Sequence, residues 1–401
     1  MQTGSFQWMK SLNKTIIMNK ILNDGPISRA QIAKETNLTP PTVGSIVKEL
    51  MEQGIIIEST QGASQGGRRP TMLEIHYQNF YIIGVDAGSK EIEAILTDLS
   101  GQIIEQNRIE LEQTNTNEGF INKLVSSIQG VIQPHHQQQD KIIGIGVAMH
   151  GVVDVITGSS VYAPNLNLYD IPIQATLEDF FQVDVKVEND VRSMALGEVW
   201  FGQGKNTPSM VAVNLGNGVG AGWTINGQRY HGATSIAGEL GHMTIDVHGK
   251  ACTCGNQGCL QTIVSGPAIG ARAQEQLPNI EHSVLQAKAN SISGQDVYQA
   301  ALEGDNFAIK LLHETGEYIG IGLTNLIHLI NPSKIILGGG VSRASEFILD
   351  PIKDTIAKRA LTNQAKQTEI VVSNLGEQAT ALGAIALILA QVFEQKGEVS
   401  N

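Results

Sequence analysis

The cysteines of this chain, Cys252, Cys254 and Cys259, all fall within eight positions, and His242 lies just upstream in the spacing His-x9-Cys-x-Cys-x4-Cys. Thiolates and imidazole suit a tetrahedral zinc ion, and four protein ligands leave no position for a reacting water. The spacing therefore predicts a structural Zn2+ site at His242, Cys252, Cys254 and Cys259, with Gly255 and Gly258 letting the chain fold back between ligands. Three free thiols beside a surface histidine is the competing reading, and it does not explain why every cysteine lies in one patch. Three cysteines cannot pair off, which points to a cytoplasmic protein with one metal site rather than a disulfide framework.

Other residues could handle a polyol or a phosphate. Glu239 precedes His242 by three positions, so the two share a face if this stretch is helical. A metal that fixes His242 then fixes Glu239 as well; an exposed Glu239 is the alternative, and spacing leaves both open. Glu188-Asn189-Asp190 follows an apolar strand and enters a helix at Ser193–Trp200. A carboxylate beside an amide at a strand's carboxyl end can hold hydroxyls or accept a hydroxyl proton, and it can equally be an ordinary helix cap. The turns Asp86-Ala87-Gly88-Ser89, Leu215-Gly216-Asn217-Gly218-Val219-Gly220 and Leu337-Gly338-Gly339-Gly340 could bring N–H groups to phosphates. Hairpins use the same residues. No Gly-x4-Gly-Lys-Ser/Thr loop is present.

The elements that position these residues begin with three short helices. The first covers residues 12–23 and closes at Asp24-Gly25-Pro26. The second starts at Ser28 with Gln31 at the capping-box position. The third opens at Thr39-Pro40-Pro41 and runs to Met51, ended by Gly54. Residues 55–58 and 71–75 then read as two strands joined by a glycine-rich wing, completing a winged helix-turn-helix. The third helix buries Val43, Ile46, Val47 and Leu50, which leaves Thr42, Ser45 and Lys48 for a DNA groove, and the wing tip adds Arg68 and Arg69. A protein-binding winged helix is the rival reading. Charge favours DNA: residues 1–79 carry +2, whereas the rest of the chain carries −14 of the net −12.

From Tyr81 onward the rhythm is α/β. Strand candidates are 81–85, 92–96, 142–147, 185–187, 210–213, 220–225, 335–337 and 370–372, with long helical patterns at 307–331 and 378–393. Strand, polar residue and glycine turn occur twice, at Asp86 and Asn214, which suggests two similar halves around a cleft. Forty-three glycines are scattered through 401 residues without a period, which fits tight α/β crossings and excludes collagen-like or disordered classes. The longest apolar stretch, Ala381–Phe393, falls short of a membrane span, and no signal peptide is expected.

Glu188-Asn189-Asp190, Gly238-Glu239-x-Gly-His242 and Cys252-x-Cys254-Gly-x-x-Gly-Cys259 together resemble the ROK family of repressors and sugar kinases. The winged helix ending in Gly-Gly-Arg-Arg-Pro resembles its repressor branch, the xylose repressors and related sugar-responsive regulators. The resemblance implies a two-lobed actin-like, ribonuclease-H-like fold with sugar between the lobes. It implies domains at 1–79 (winged helix), 80–200 (first lobe, completed by a helix near 378–395) and 201–377 (second lobe, with the zinc motif). It implies sugar contacts at Asn165, Asn189, Asp190, Glu239, His242 and Gln261, with His242 serving metal and sugar through different ring nitrogens. Asp190 stands where the family's kinases keep their catalytic base.

Departures from the kinase pattern decide the expected activity. Asp86-Ala87-Gly88-Ser89-Lys90 stands where the kinases have Asp-x-Gly-Gly-Thr, and Gly216-Asn217-Gly218 where they have Gly-Thr-Gly. Gln261 replaces a glutamate and His150 a proline. The sequence thus predicts a non-enzymatic repressor that binds operator DNA as a homodimer or homotetramer and senses an aldose such as xylose or glucose. A glucokinase-like, ATP-dependent sugar kinase with an appended DNA-binding domain is the alternative, and a regulator that no longer binds sugar is a third.

Overall fold

Side-chain caps punctuate the N-terminal helices. Helix α1 (Thr3–Asp24) extends upstream of the expected start, and Lys10 and Lys14 of this helix pair with Glu49 at 2.8 and 3.2 Å. A short strand β1 (Ile27–Ser28) precedes α2 (Arg29–Thr36), where Ser28 accepts from the Gln31 N–H at 3.2 Å. The Gln31 side chain bonds Glu35 instead of the cap, so only half of the expected capping box forms. Thr39 caps α3 (Pro40–Glu52), with both prolines in the first turn. Strands β2 (Ile56–Gln61) and β3 (Thr71–Ile75) pair antiparallel, and β1 adds to the far edge of β3. The computed structural model describes residues 3–61, 69–111, 116–225, 227–288 and 291–393; the expected contact Arg68 lies outside the described residues.

The first lobe contains β4 (Tyr81–Ala87), β5 (Glu91–Asp98), β6 (Ile103–Glu110), α4 (Asn117–Ile132) and β7 (Ile142–Met149). A small sheet follows, formed by β8 (Val152–Asp154), β9 (Ser159–Ala163) and β10 (Leu168–Ile171), then α5 (Ile173–Phe181) and β11 (Val185–Asn189). Next come α6 (Asp190–Trp200), β12 (Ser209–Leu215), β13 (Val219–Ile225) and β14 (Gln228–Arg229). The remainder is largely helical: α7 (Gln261–Val264), α8 (Gly266–Gln276), α9 (Gly294–Leu302), α10 (Asn306–Ile330), β15 (Lys334–Gly338), α11 (Ser345–Arg359), α12 (Asn363–Lys366), β16 (Glu369–Val372) and α13 (Ala379–Phe393).

Two five-stranded sheets repeat one topology. The first runs β11-β7-β4-β5-β6 and the second β16-β15-β12-β13-β14. In each, the first strand is central, its hairpin partner is antiparallel, and the two later strands add in parallel on the other side. Asp86 and Asn214 occupy the same place in the two sheets, so the faint sequence repeat is a repeat of fold. Helix α6 begins three residues earlier than expected, because Asn189 caps it directly.

Helices α6 and α13 cross between the sheets: α6 packs on β12 and β13, and α13 on β4 and β7. The crossing is close, since a Cβ on Gly383 would stand 1.9 Å from the Ser193 carbonyl oxygen. Taken with the turn before it, Gly376–Phe393 is 18 residues long and apolar enough to span a bilayer by length, longer than expected, yet most of it is buried in the protein. Its apolar side chains fill a core shared with the winged domain: Ala381, Ile385, Leu389 and Phe393 join a cluster containing Ile17, Val47 and Leu73.

Candidate ligand cleft and metal centre

The carboxyl ends of β4, β7, β12 and β15 open into one cleft of about 1760 Å³. Open α/β sheets bind ligands at such strand ends, and ordinary small-molecule pockets measure roughly 300–1,000 Å³. The structure places Asn165, Asn189, Asp190, Glu239, His242 and Gln261 on its wall. Asn165 is exposed in the turn between β9 and β10. The glycine turns at Gly88 and Gly216–Gly218 also line the cleft, and each is the loop of a hairpin, β4–β5 and β12–β13.

At Asn189 the cap and the cleft readings coincide. Its Oδ1 accepts from the N–H groups of Val191 and Arg192 at 3.0 and 3.1 Å, while its Nδ2 donates to the Gly151 carbonyl at 3.0 Å and to Asp190 Oδ1 at 2.7 Å. The helix cap thus clamps Asp190. Burial pushes the Asp190 carboxyl up to about 6, against hydrogen bonds from Val191 and Asn189 and the Arg192 charge. Asp86 at the end of β4 is pushed up to about 8, first by burial and then by the like charge of Asp190.

Glu239 ends a tight turn in which Gly238 is required: its φ is +108°, and a Cβ there would lie 1.9 Å from the Ala221 carbonyl oxygen of β13. Residues 240–242 form a single 3₁₀ turn, which puts Glu239 Oε2 3.8 Å from His242 Nε2. Glu239 is exposed on the cleft wall, as one of its two sequence readings had it, and partial desolvation there raises its pKa, with His242 opposing and Asp190 adding.

Glu188 does not line the cleft. It is buried and bonds Arg192 Nε at 2.8 Å, Arg229 Nη1 at 3.1 Å and His231 Nε2 at 2.7 Å. Arg192 continues to the Ser235 carbonyl at 3.0 Å. Burial opposes the charge on Glu188, but its three partners outweigh that and hold the carboxyl down at about 2. This network anchors the segment that carries Glu239, and sequence reading missed it. Its one legible signal was the i, i+4 spacing of Glu188 and Arg192.

Four donor atoms converge beside the cleft. The ligating atoms of His242, Cys252, Cys254 and Cys259 all lie within 4.8 Å of one another. His242 Nδ1 is 3.7 Å from Cys252 Sγ, and the Cys254 and Cys259 sulfurs are 3.8 Å apart. A tetrahedron of thiolates about 2.3 Å from a zinc ion has edges of about 3.8 Å, so this donor set fits such an ion. Cys259 is pushed up to about 12 by burial and by its two sulfur neighbours, a repulsion that a cation among them relieves. His242 turns Nδ1 to the sulfurs and Nε2 toward Glu239. Gln261 donates Nε2 to Cys252 Sγ at 3.3 Å, so it touches both the cysteine cluster and the cleft.

On the winged domain, Ser45 and Lys48 of α3 are exposed, Thr42 is half-buried with its hydroxyl 2.9 Å from that of Thr39, and Arg69 is exposed at the end of the wing. Val43, Ile46, Val47 and Leu50 are buried on the opposite face.

A winged helix joined to a two-lobed, twice-repeated α/β fold with a polar cleft defines a class, the DNA-binding regulators built on a sugar-kinase scaffold. The chain belongs to the ROK family, whose description matches residues 82–391, and residues 15–57 match a winged helix-turn-helix DNA-binding family. It is 34% identical to the xylose repressor of Bacillus spizizenii, over 96% of this chain and 97% of that protein. It is 32% identical to the DNA-binding transcriptional dual regulator NagC of Escherichia coli, over 96% and 94%. A solved ROK family transcriptional regulator, a homologue of the E. coli MLC protein, superposes with a TM-score of 0.85 at 28% identity, covering 96% of this chain and all of that one. A Streptomyces griseus ROK glucokinase in complex with glucose and AMPPNP superposes with a TM-score of 0.69 at 29% identity, covering 77% and 98%.

Proposed function

We propose that this chain is a sugar-responsive transcriptional repressor. The observation that carries the reading is a winged helix-turn-helix that shares one continuous core with the lobe whose cleft presents amides and carboxylates suited to hydroxyls. Ser45 and Lys48, with Thr42, read operator DNA from α3, and Arg68 and Arg69 hold the wing against the backbone. A homodimer or homotetramer supplies two such heads to a symmetric operator. The effector is an aldose, with xylose and glucose the first candidates, bound by Asn165, Asn189, Asp190, Glu239, His242 and Gln261. A zinc ion held by His242, Cys252, Cys254 and Cys259 orients His242 and, through it, Glu239. Bound sugar favours a lobe arrangement with different DNA affinity, by as much as its own affinity differs between the two arrangements.

Phosphoryl transfer is the second reading, favoured by Asp190 on the cleft wall and by the likeness to a glucokinase. Against it stand the two altered phosphate loops, because a base assists only when the phosphoryl donor is held in line. A gel shift of the metal-loaded protein on DNA upstream of its own reading frame, with xylose, glucose, mannose, fructose or N-acetylglucosamine added singly, tests the first reading. Release by one sugar supports it. No DNA binding at low salt, together with sugar-dependent ADP release, would establish the kinase instead.

A further inference from the structure

His150 follows β7 and is fixed from two sides. Its backbone N–H donates to the Ala87 carbonyl at 3.3 Å, and its ring Nδ1 lies 3.2 Å from the same oxygen. The next residue's carbonyl, that of Gly151, accepts from Asn189 Nδ2. A carbonyl oxygen can only accept, so Nδ1 carries the proton and Nε2 of the neutral ring is a bare acceptor. Burial holds the ring's pKa below its usual value, which keeps it neutral.

Nε2 has no partner. Of the buried side-chain polar atoms without a hydrogen-bond partner among the described residues, only His150 Nε2 belongs to a residue lining the cleft. The residue is 7% exposed, and an acceptor buried to that degree costs free energy until a donor reaches it. We infer that His150 is a specificity-determining residue of the cleft, its Nε2 accepting a hydrogen bond from a hydroxyl of the bound sugar. The inference rests on the proposal that the cleft holds a sugar. It adds a ligand contact through a side chain that stands where the family's kinases have proline, which offers no such acceptor. A sugar lacking a hydroxyl at that point leaves the acceptor unpaired and is discriminated against for that reason.

The test uses the full-length, zinc-loaded protein with 15N-labelled histidine. Calorimetry with D-xylose, D-glucose and N-acetyl-D-glucosamine first identifies a sugar that binds, and the imidazole nitrogen signals are then followed on saturation. The His150 Nε2 signal is expected to start in the unprotonated range and move upfield as it accepts a hydrogen bond. His150→Phe keeps a ring but loses the acceptor, and is expected to bind that sugar roughly tenfold more weakly. His150→Gln, whose carbonyl can accept, should recover part of the loss. If His150→Phe does not fold, the wild-type signal and His150→Gln decide. An unmoved Nε2 signal overturns the inference even if affinity falls, because the ring would then act only on packing. Unchanged affinity in His150→Phe overturns it as well. Failure of the wild type to bind any of the three sugars overturns the sugar reading itself, a different result from binding that ignores His150.

Discussion

Asp190 shows how one carboxyl ties fold to chemistry. Its ordinary pKa is 3.8, and burial lifts it to about 6, so the charged form, which the proposed sugar contact requires as an acceptor, prevails only above that value. Effector affinity is therefore expected to fall as pH drops through about 6, well above the usual carboxylate range. The linkage to stability runs the opposite way. A raised pKa means that the native state holds the proton more tightly than the unfolded chain, so the contribution of Asp190 to the stability of the empty protein is fully present below 3.8 and is lost as pH rises through about 6. Calorimetric titration of the effector between about pH 5 and 8 checks the binding profile. Asp190→Asn should bind weakly and without that pH dependence, whereas a flat wild-type profile would remove the Asp190 carboxylate from the ligand's acceptors. The position of Asp190 was legible because a cap, an amide and a carboxylate are consecutive in sequence. The burial that sets its pKa was not, because the cleft wall around it is built from strands distant in sequence, among them β4, whose Asp86 is itself pushed up by the Asp190 charge.

At the scale of elements, the polar network under α6 and the cluster of His242 with three cysteines each hold one side of the cleft. Glu188→Ala leaves Arg192 charged, buried and short of its main partner, when Nη2 of that guanidinium already lacks one among the described residues. A loss of about 3–5 kcal/mol is expected in urea unfolding, since removing one member of a buried pair strands the other. A loss within about 0.5 kcal/mol would mean that water replaces the carboxylate. Stripping the metal with a chelator should lower the melting temperature and weaken effector binding, because His242 and the backbone around Glu239 lose their anchor. Metal removal that leaves effector affinity intact would separate the two sites. The cysteine spacing made the convergence of these four side chains readable, and the central strands were readable as near-continuous apolar runs. β6 was not foreseen, for it is a polar edge strand with alternate residues exposed, and β8, β9 and β10 are too short to show a period. The Arg229 and His231 partners of Glu188 were hidden because β14 has two residues and no pattern of its own.

For the whole molecule, the decisive feature is that the winged domain is not a tethered head. Its core continues into the first lobe and α13, the Asn79 amide donates to the Gly54 carbonyl at 3.1 Å, and Lys141 of the first lobe reaches Asn79 at 3.2 Å. Helix α13 also crosses α6, whose first residue is Asp190, so a continuous run of packed elements joins the cleft to the helices of the winged domain. Packed cores switch between discrete arrangements rather than deforming continuously. If sugar and operator favour different arrangements, their binding free energies are coupled, and the coupling must be equal in both directions. Whatever factor saturating sugar removes from operator affinity, saturating operator must therefore remove from sugar affinity. Fluorescence anisotropy of a labelled operator with and without sugar gives the first factor, and calorimetry of sugar with and without operator gives the second. Equal factors, in the roughly 5–150-fold range of ordinary allosteric coupling, are the expected result. A sugar that binds with the same affinity to the free and operator-bound protein cannot be the effector, however tightly the cleft holds it.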